Sequence, residues 1–198
     1  MRIPLLRCLL RRGNFAAQGG FFTAVKLKKL KTKELTMLSL LIALNVVMAE
    51  LLKIKIIPNV MELSFGFIPI AVTGMLFGPV GTIVVAVIAD ILGALIFSGG
   101  NFYFGYTLTA LCTGLFYGVL LHEKCRHPVL WRILLAQALV SLVCYAGLNT
   151  LWAWDMGFGR SMEYVKTRLI VNTVAYPVYC AVLYGVNRYR TVLERAMK

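Results

Sequence analysis

The sequence predicts an all-α integral membrane protein, a bundle of six transmembrane helices with both termini in the cytoplasm. Composition is the first reason: 60% of the residues are hydrophobic and 15% charged, and the mean hydropathy is +0.79, outside the range of soluble domains. Apolar stretches of about 17–20 residues recur along the chain, close to what a helix needs to cross ~30 Å of hydrocarbon. The third reason is the placement of charge. Of the 21 Lys and Arg, nine lie in residues 1–33, three are Lys124, Arg126 and Arg132, and four lie in residues 187–198. The opposite side of a six-span path holds only Lys53, Lys55, Arg160, Lys166 and Arg168. That is the positive-inside pattern. A net charge of +13 would suggest a nucleic-acid partner in a soluble chain; distributed this way it marks the cytoplasmic face of a bilayer, and no nucleic acid is expected.

Residues 1–33 hold no acid and form a basic cytoplasmic extension. They lack a long apolar core followed by a small-residue cleavage site, so a secretory signal is not read here. A targeting peptide, an interfacial helix and an upstream start all stay open. The spanning domain covers 34–190, and 191–198 are a basic tail. The first span, 35–52, carries Asn45 and Glu50, and Ser39 and Ala43 form a small-xxx-small pair that admits a neighbouring helix. The segment 56–64 is a short connection with Pro58 and Asn59 as turn residues. The second span, 65–77, contains Pro69, which predicts a kink or a break near one membrane face. Gly78-Pro79 ends it. The third span, 82–97, is rich in small residues and carries Asp90, read as a hydrogen-bonded packing residue facing the bundle interior.

Between the third and fourth spans lies Phe97-Ser-Gly-Gly-Asn-Phe-Tyr-Phe-Gly-Tyr-Thr107, uncharged and rich in glycine and aromatics. Gly99-Gly100 suits a tight reversal, and the aromatic side chains suit either an interfacial belt or one wall of a site for a flat polar ring. The fourth span runs 103–121, the fifth 129–152 and the sixth 166–186, the last with Arg168, Asn172 and Pro177. In this topology the connections 56–64, 98–102 and 155–164 meet on the exterior. Around them cluster Glu62, Phe65, Phe67, Asn101, Tyr103 and Tyr106. Thr107, Asn149, Trp152, Trp154, Arg168 and Asn172 complete the candidate substrate-binding set. Aromatic faces interleaved with amides and an arginine suit a planar polar ligand with an anionic end.

Catalysis is not expected. The chain has no GxxxxGK[ST] loop and no HExxH, and His122 and His127 both fall in the inner loop. No nucleophile has a base at a recognisable spacing. Cys8, Cys112, Cys125, Cys144 and Cys180 are odd in number and form no CxxC pair, so neither a disulfide framework nor a metal site is read, and no cofactor is expected.

Four runs carry a family resemblance: LSLLIALNVVMAELLKIK, LSFGFIPIAVTGMLFGPVG, ADILGALIFSGGNFYFGYTLTALCTGLFYG and RLIVNTVAYPV. In this order and spacing, over about residues 35–188, the chain resembles the S components of energy-coupling factor vitamin transporters, folate subfamily. The resemblance implies a six-helix binding subunit without chemistry of its own, in a bacterial-type plasma membrane. Such a subunit takes up a vitamin on its exterior side. It then docks on a shared energy-coupling membrane subunit that carries two ATPases, and reorients to deliver the vitamin inside. It also implies that Ser39 and Ala43, fitting the family's AxxxA motif with serine for the first alanine, contact the coupling subunit. Glu50 departs from the basic residue the family often has there. Folate suits the local chemistry: a pterin edge for Asn, Thr or carboxylate, ring faces for aromatics, and a glutamate end for Arg168 or Lys166. The same machinery carrying riboflavin or thiamine, or a membrane assembly subunit without a ligand, are the alternatives.

Overall fold

The structure is a computed structural model that describes residues 32–52, 54–57, 61–97, 102–122, 130–157 and 162–189. The greater part of the basic extension, the tail, Asn101 and the Gly99-Gly100 turn lie outside the described residues. Helix α1 spans Thr32–Val46 and continues as a π-helical turn over Val47–Leu51. Two short antiparallel strands follow, β1 (Ile54–Ile57) and β2 (Met61–Leu63), with Lys55 opposite Glu62. A hairpin in place of an irregular connection departs from a purely helical expectation. Helix α2 covers Phe67–Phe97, α3 Phe104–Leu121 and α4 Leu130–Leu139. A π-helical stretch, Val140–Leu148, leads into α5 (Asn149–Asp155), and α6 spans Met162–Arg188. Among the described residues, five helical stretches are long and apolar enough to cross a membrane.

The second of those stretches, α2, is two segments meeting at Gly78, whose φ of 76° and ψ of −169° are not helical. That φ favours glycine, which has no Cβ to clash there. Neighbours reveal the direction of each segment. A Cβ at Gly74 would lie 2.9 Å from the Tyr117 carbonyl oxygen, and one at Gly78 would meet the His122 ring at 3.0 Å, so residues 67–77 run the same way as α3. Beyond Gly78 the order inverts: Gly118 abuts Pro79, Gly114 abuts Thr82, Ile83 and Ala86, and Thr107 bonds Asp90. The chain turns back at Gly78. Pro69, expected to kink the second span or to break it near one membrane face, makes no kink: it sits in the first turn of α2, where its missing N–H would have had no helical partner.

Small residues make this packing possible. Where lipid tails are as apolar as the side chains, helices associate through close backbone approach and buried hydrogen bonds. Asn45 on α1 donates from Nδ2 to the Gly66 carbonyl at 2.6 Å, tying the first helix to the start of α2. Between α3 and α4 the buried Tyr117 hydroxyl donates to Gln137 Oε1 at 2.5 Å, and Gln137 Nε2 donates to Ser141 Oγ at 3.2 Å. These polar groups satisfy one another inside an apolar core of Phe67, Met75, Leu121, Ile133, Val140 and Leu183. The outward faces are the reverse of a soluble protein's: Leu40, Leu95, Ile96, Phe104, Leu142 and Val174 are all exposed, which suits hydrocarbon as solvent. The chain is a multi-pass membrane protein.

Candidate ligand-binding site

A cavity of about 430 Å³ opens inside the bundle, within the range of small-molecule sites of about 300–1,000 Å³. Each wall comes from a different part of the chain. The end of α1 and its π-helical turn bring Asn45, Ala49 and Glu50; the start of α2 brings Gly66, Phe67 and Ile70. The part of α2 beyond Gly78 contributes Ala86, Ala89, Asp90 and Gly93, and residues 102–113 contribute Phe102, Tyr103, Tyr106, Thr109 and Thr113. Tyr145 and Asn149 close the far side. π-Helical winding adds a residue to a turn and re-aims the side chains beyond it, and such turns cluster at functional sites. Here one such stretch delivers Ala49 and Glu50, and the other delivers Tyr145 and ends against Asn149.

The lining is acceptor-rich and aromatic. Among the described residues it includes two carboxylates, Glu50 and Asp90, and no lysine, arginine or histidine. The Thr107 hydroxyl donates to Asp90 Oδ2 at 2.8 Å. A carboxylate has about four lone-pair sites, so further acceptor capacity remains at Asp90. Asn149 Oδ1 is buried with no hydrogen-bond partner among the described residues. Leaving a buried acceptor unpaired costs about 1–3 kcal/mol, and a bound donor would recover it.

Aromatic groups form the wall at the beginning of α3. The Tyr103 ring lies 5.9 Å from both Tyr106 and Trp152, edge-on to the first and tilted to the second. Trp152 donates from Nε1 to Thr109 Oγ1 at 3.0 Å and presses against Gly105, where a Cβ would lie 2.5 Å from the indole Cδ2. Tyr103 itself donates its hydroxyl to Asp155 Oδ2 at the end of α5. That bond to a carboxylate, with a smaller contribution from burial, raises the phenol above its ordinary value of 10.0. The donor proton is therefore held throughout the neutral range, and as pH rises through the raised value the bond's contribution is lost.

Of the residues put forward from the sequence, Phe67, Tyr103, Tyr106 and Asn149 line the cavity. Thr107 stands behind Asp90, and Trp152 stands behind Thr109. Phe65 packs at the margin of the core, and Trp154 is exposed. Glu62 is placed in β2, opposite Lys55. Arg168 and Asn172, on α6, are not among the lining residues; Arg168 lies over the Tyr164 ring at 5.3 Å, and its Nη1 is buried without a hydrogen-bond partner among the described residues. The cavity also takes in Asn45, Glu50, Asp90, Thr109, Thr113 and Tyr145, which sequence reasoning does not assign to a ligand. For Asn45, Glu50 and Asp90 a signal is present, since polar residues inside a span are costly and seldom idle.

A membrane-embedded helical bundle around an aromatic, acceptor-rich cavity defines a protein that holds a small molecule. The chain belongs to the substrate-specific components of ECF transporters, whose family model matches residues 33–187. It is similar to the folate transporter FolT of Clostridium novyi, 30% identical over 156 residues, covering 78% of this chain and 88% of that protein. The FolT of Leuconostoc mesenteroides is likewise 30% identical, over 161 residues, covering 79% and 85%. Among solved structures, a crystal structure of FolT bound with folic acid superposes with a TM-score of 0.72 at 27% identity, covering 80% of this chain and 94% of that one.

Proposed function

We propose that the chain is the folate-binding subunit of an ATP-driven ECF importer in a bacterial-type plasma membrane. In this reading the path has six spans, α2 supplying two of them, with both termini inside. The observation that carries it is the cavity itself, enclosed by a fold shared with a FolT that binds folic acid. Its chemistry supports an orientation. Acceptors at Asp90, Glu50 and Asn149 suit the amino and ring N–H donors of a pterin, and the rings of Phe67, Tyr103 and Tyr106 suit its faces. A lining with two carboxylates and, among the described residues, no cation repels a glutamate, so the anionic end points outward.

Energy for uptake then comes from partners: an energy-coupling membrane subunit and two ATPase subunits. Ser39 and Ala43 form their docking face on α1. Both are exposed, and the Ser39 hydroxyl is satisfied by donating to the Leu35 carbonyl at 3.0 Å, so this face presents no unpaired polar group there.

The purified chain should bind one folate in detergent with no ATP present, because the cavity is built wholly from its own helices. Isothermal titration with folate, riboflavin and thiamine tests this. Binding that appears only with coupling subunits and ATP sinks the reading; binding of riboflavin or thiamine in preference reassigns the vitamin.

Arg168 belongs to the same proposal. A buried guanidinium nitrogen without an acceptor among the described residues, near the end of α6 that the reading places at the exterior, is suited to the glutamate carboxylates. Arg168→Ala should weaken folate by roughly 1.5–3 kcal/mol, the range for a hydrogen bond to a charged group, and leave pteroate, which lacks the glutamate, unchanged. An equal loss for both would place the arginine at the ring, and no loss for either would make it structural.

A further inference from the structure

Tyr103 belongs to two environments. Its ring lines the cavity, whereas its hydroxyl reaches an exposed hydrogen bond with Asp155. The residue therefore stands at the rim, between the ligand space and the surface. Its backbone is extended, with φ of −120° and ψ of 116°, and it precedes the first turn of α3. Its carbonyl accepts from the Tyr106 amide at 3.1 Å, so the helix ladder holds its backbone but not its ring. What holds its ring is a set of side-chain contacts: Tyr106 and Trp152 at 5.9 Å, and a space left open by Gly105, where a Cβ would collide with Tyr103 and Trp152 together.

The bond to Asp155 differs from those contacts. Trp152 and Tyr106 restrain the faces and edges of the ring, which can still slide past them. A hydrogen bond at the far end of the phenol fixes the direction in which the ring points. Asp155 is the last residue of α5, and Gly157 just beyond it, at φ 84°, ends the helix there, with the Met156 and Gly157 amides capped by the Trp152 and Trp154 carbonyls at 2.9 and 3.0 Å. Its position is thus set by a capped helix end, a firm anchor for the ring.

We propose that Asp155, without touching the ligand, positions the Tyr103 ring as a latch across the cavity rim and so governs how slowly a bound ligand leaves. This rests on the folate-binding reading above. A latch of this kind acts on departure more than on arrival: an empty cavity can be entered while the ring samples open positions, but a ligand seated beneath the ring leaves only when the bond to Asp155 breaks. Because the bond is exposed, its loss should change overall stability little.

The test is the dissociation rate of labelled folate from the purified chain, chased with excess unlabelled folate, alongside the association rate and the melting temperature. Tyr103→Phe and Asp155→Ala should each speed release about five- to tenfold, as expected for losing one hydrogen bond, with association within about twofold and melting unaltered. The double variant should release no faster than either single one, since both remove the same bond. Asp155→Asn keeps an acceptor oxygen and should restore slow release. Additive effects in the double variant, a fall in association in place of faster release, or no recovery with asparagine would each overturn the latch. If the unaltered chain binds no folate at all, the folate reading itself fails; if it binds and all four variants release at the same rate as it does, only the latch fails.

Discussion

Asp90→Ala should weaken folate binding by about 2–5 kcal/mol, the range for truncating one partner of a desolvated charged hydrogen bond. The side chain lies beyond the Gly78 turn on α2, inside the bundle, and lines the cavity while accepting from Thr107 at 2.8 Å. A carboxylate placed in an apolar interior is costly unless its lone pairs are used, and one threonine uses only a part of them. The amino and ring N–H groups of a pterin are the donors the proposed ligand offers. Titration calorimetry with the variant measures the loss, and two controls identify its origin. Thr107→Val removes the internal donor but leaves the carboxylate, so it should cost much less. A folate analogue lacking the 2-amino group should bind weakly to the unaltered chain and lose little more in Asp90→Ala. Equal losses for folate and that analogue would mean that Asp90 supports the helices and does not read the ring edge.

The membrane character and the run of spans are legible in the sequence because they depend on bulk properties. Hydropathy, span length and basic-residue asymmetry survive any local error of register. Local punctuation is harder to read. Pro69 and Gly78-Pro79 both break helices in principle, yet only backbone context decides which one does: Pro69 falls in a first turn that tolerates it, while Gly78 takes up a positive φ. The strands on either side of Pro58 and Asn59 escape sequence reading, since four and three residues are too few to establish an alternating pattern.

The site divides in the same way. Phe67, Tyr103, Tyr106 and Asn149 can be found because the expected topology gathers their spans at one end. Trp152 and Thr107 fall in the right neighbourhood, but one layer behind the lining. Asp90 reads as a packing residue in the sequence because no partner is evident there. Its partner Thr107 is 17 residues away across a helical turnaround, a separation that no periodicity reveals. Glu50 and Tyr145 owe their places to π-helical winding. A sequence scanned at 3.6 residues per turn would put them on a different face.

Ala43→Leu should leave folate binding intact and abolish folate uptake by cells, the largest change expected of any single substitution outside the cavity. Ala43 is exposed on α1, one turn from Ser39, while Leu41 and Asn45 on the same helix are buried against the bundle. The two faces are thus separated: one builds the chain's own interior, and the other is available to a partner helix. Small residues four apart let two helix backbones approach closely, and in a bilayer that contact, with no hydrophobic drive behind it, depends on van der Waals fit. A leucine in place of the alanine would hold the helices apart along the whole contact. The bundle would not feel it, because the added atoms point away from the core. Folate affinity of the purified chain, co-purification with the coupling subunits and uptake into cells are the three measurements. Retained affinity with lost co-purification and lost uptake is the expected outcome. Normal uptake would remove this face of α1 from the docking surface, and a loss of affinity would mean that the two faces are coupled through the helix, with Asn45 and its bond to Gly66 as the first place to look.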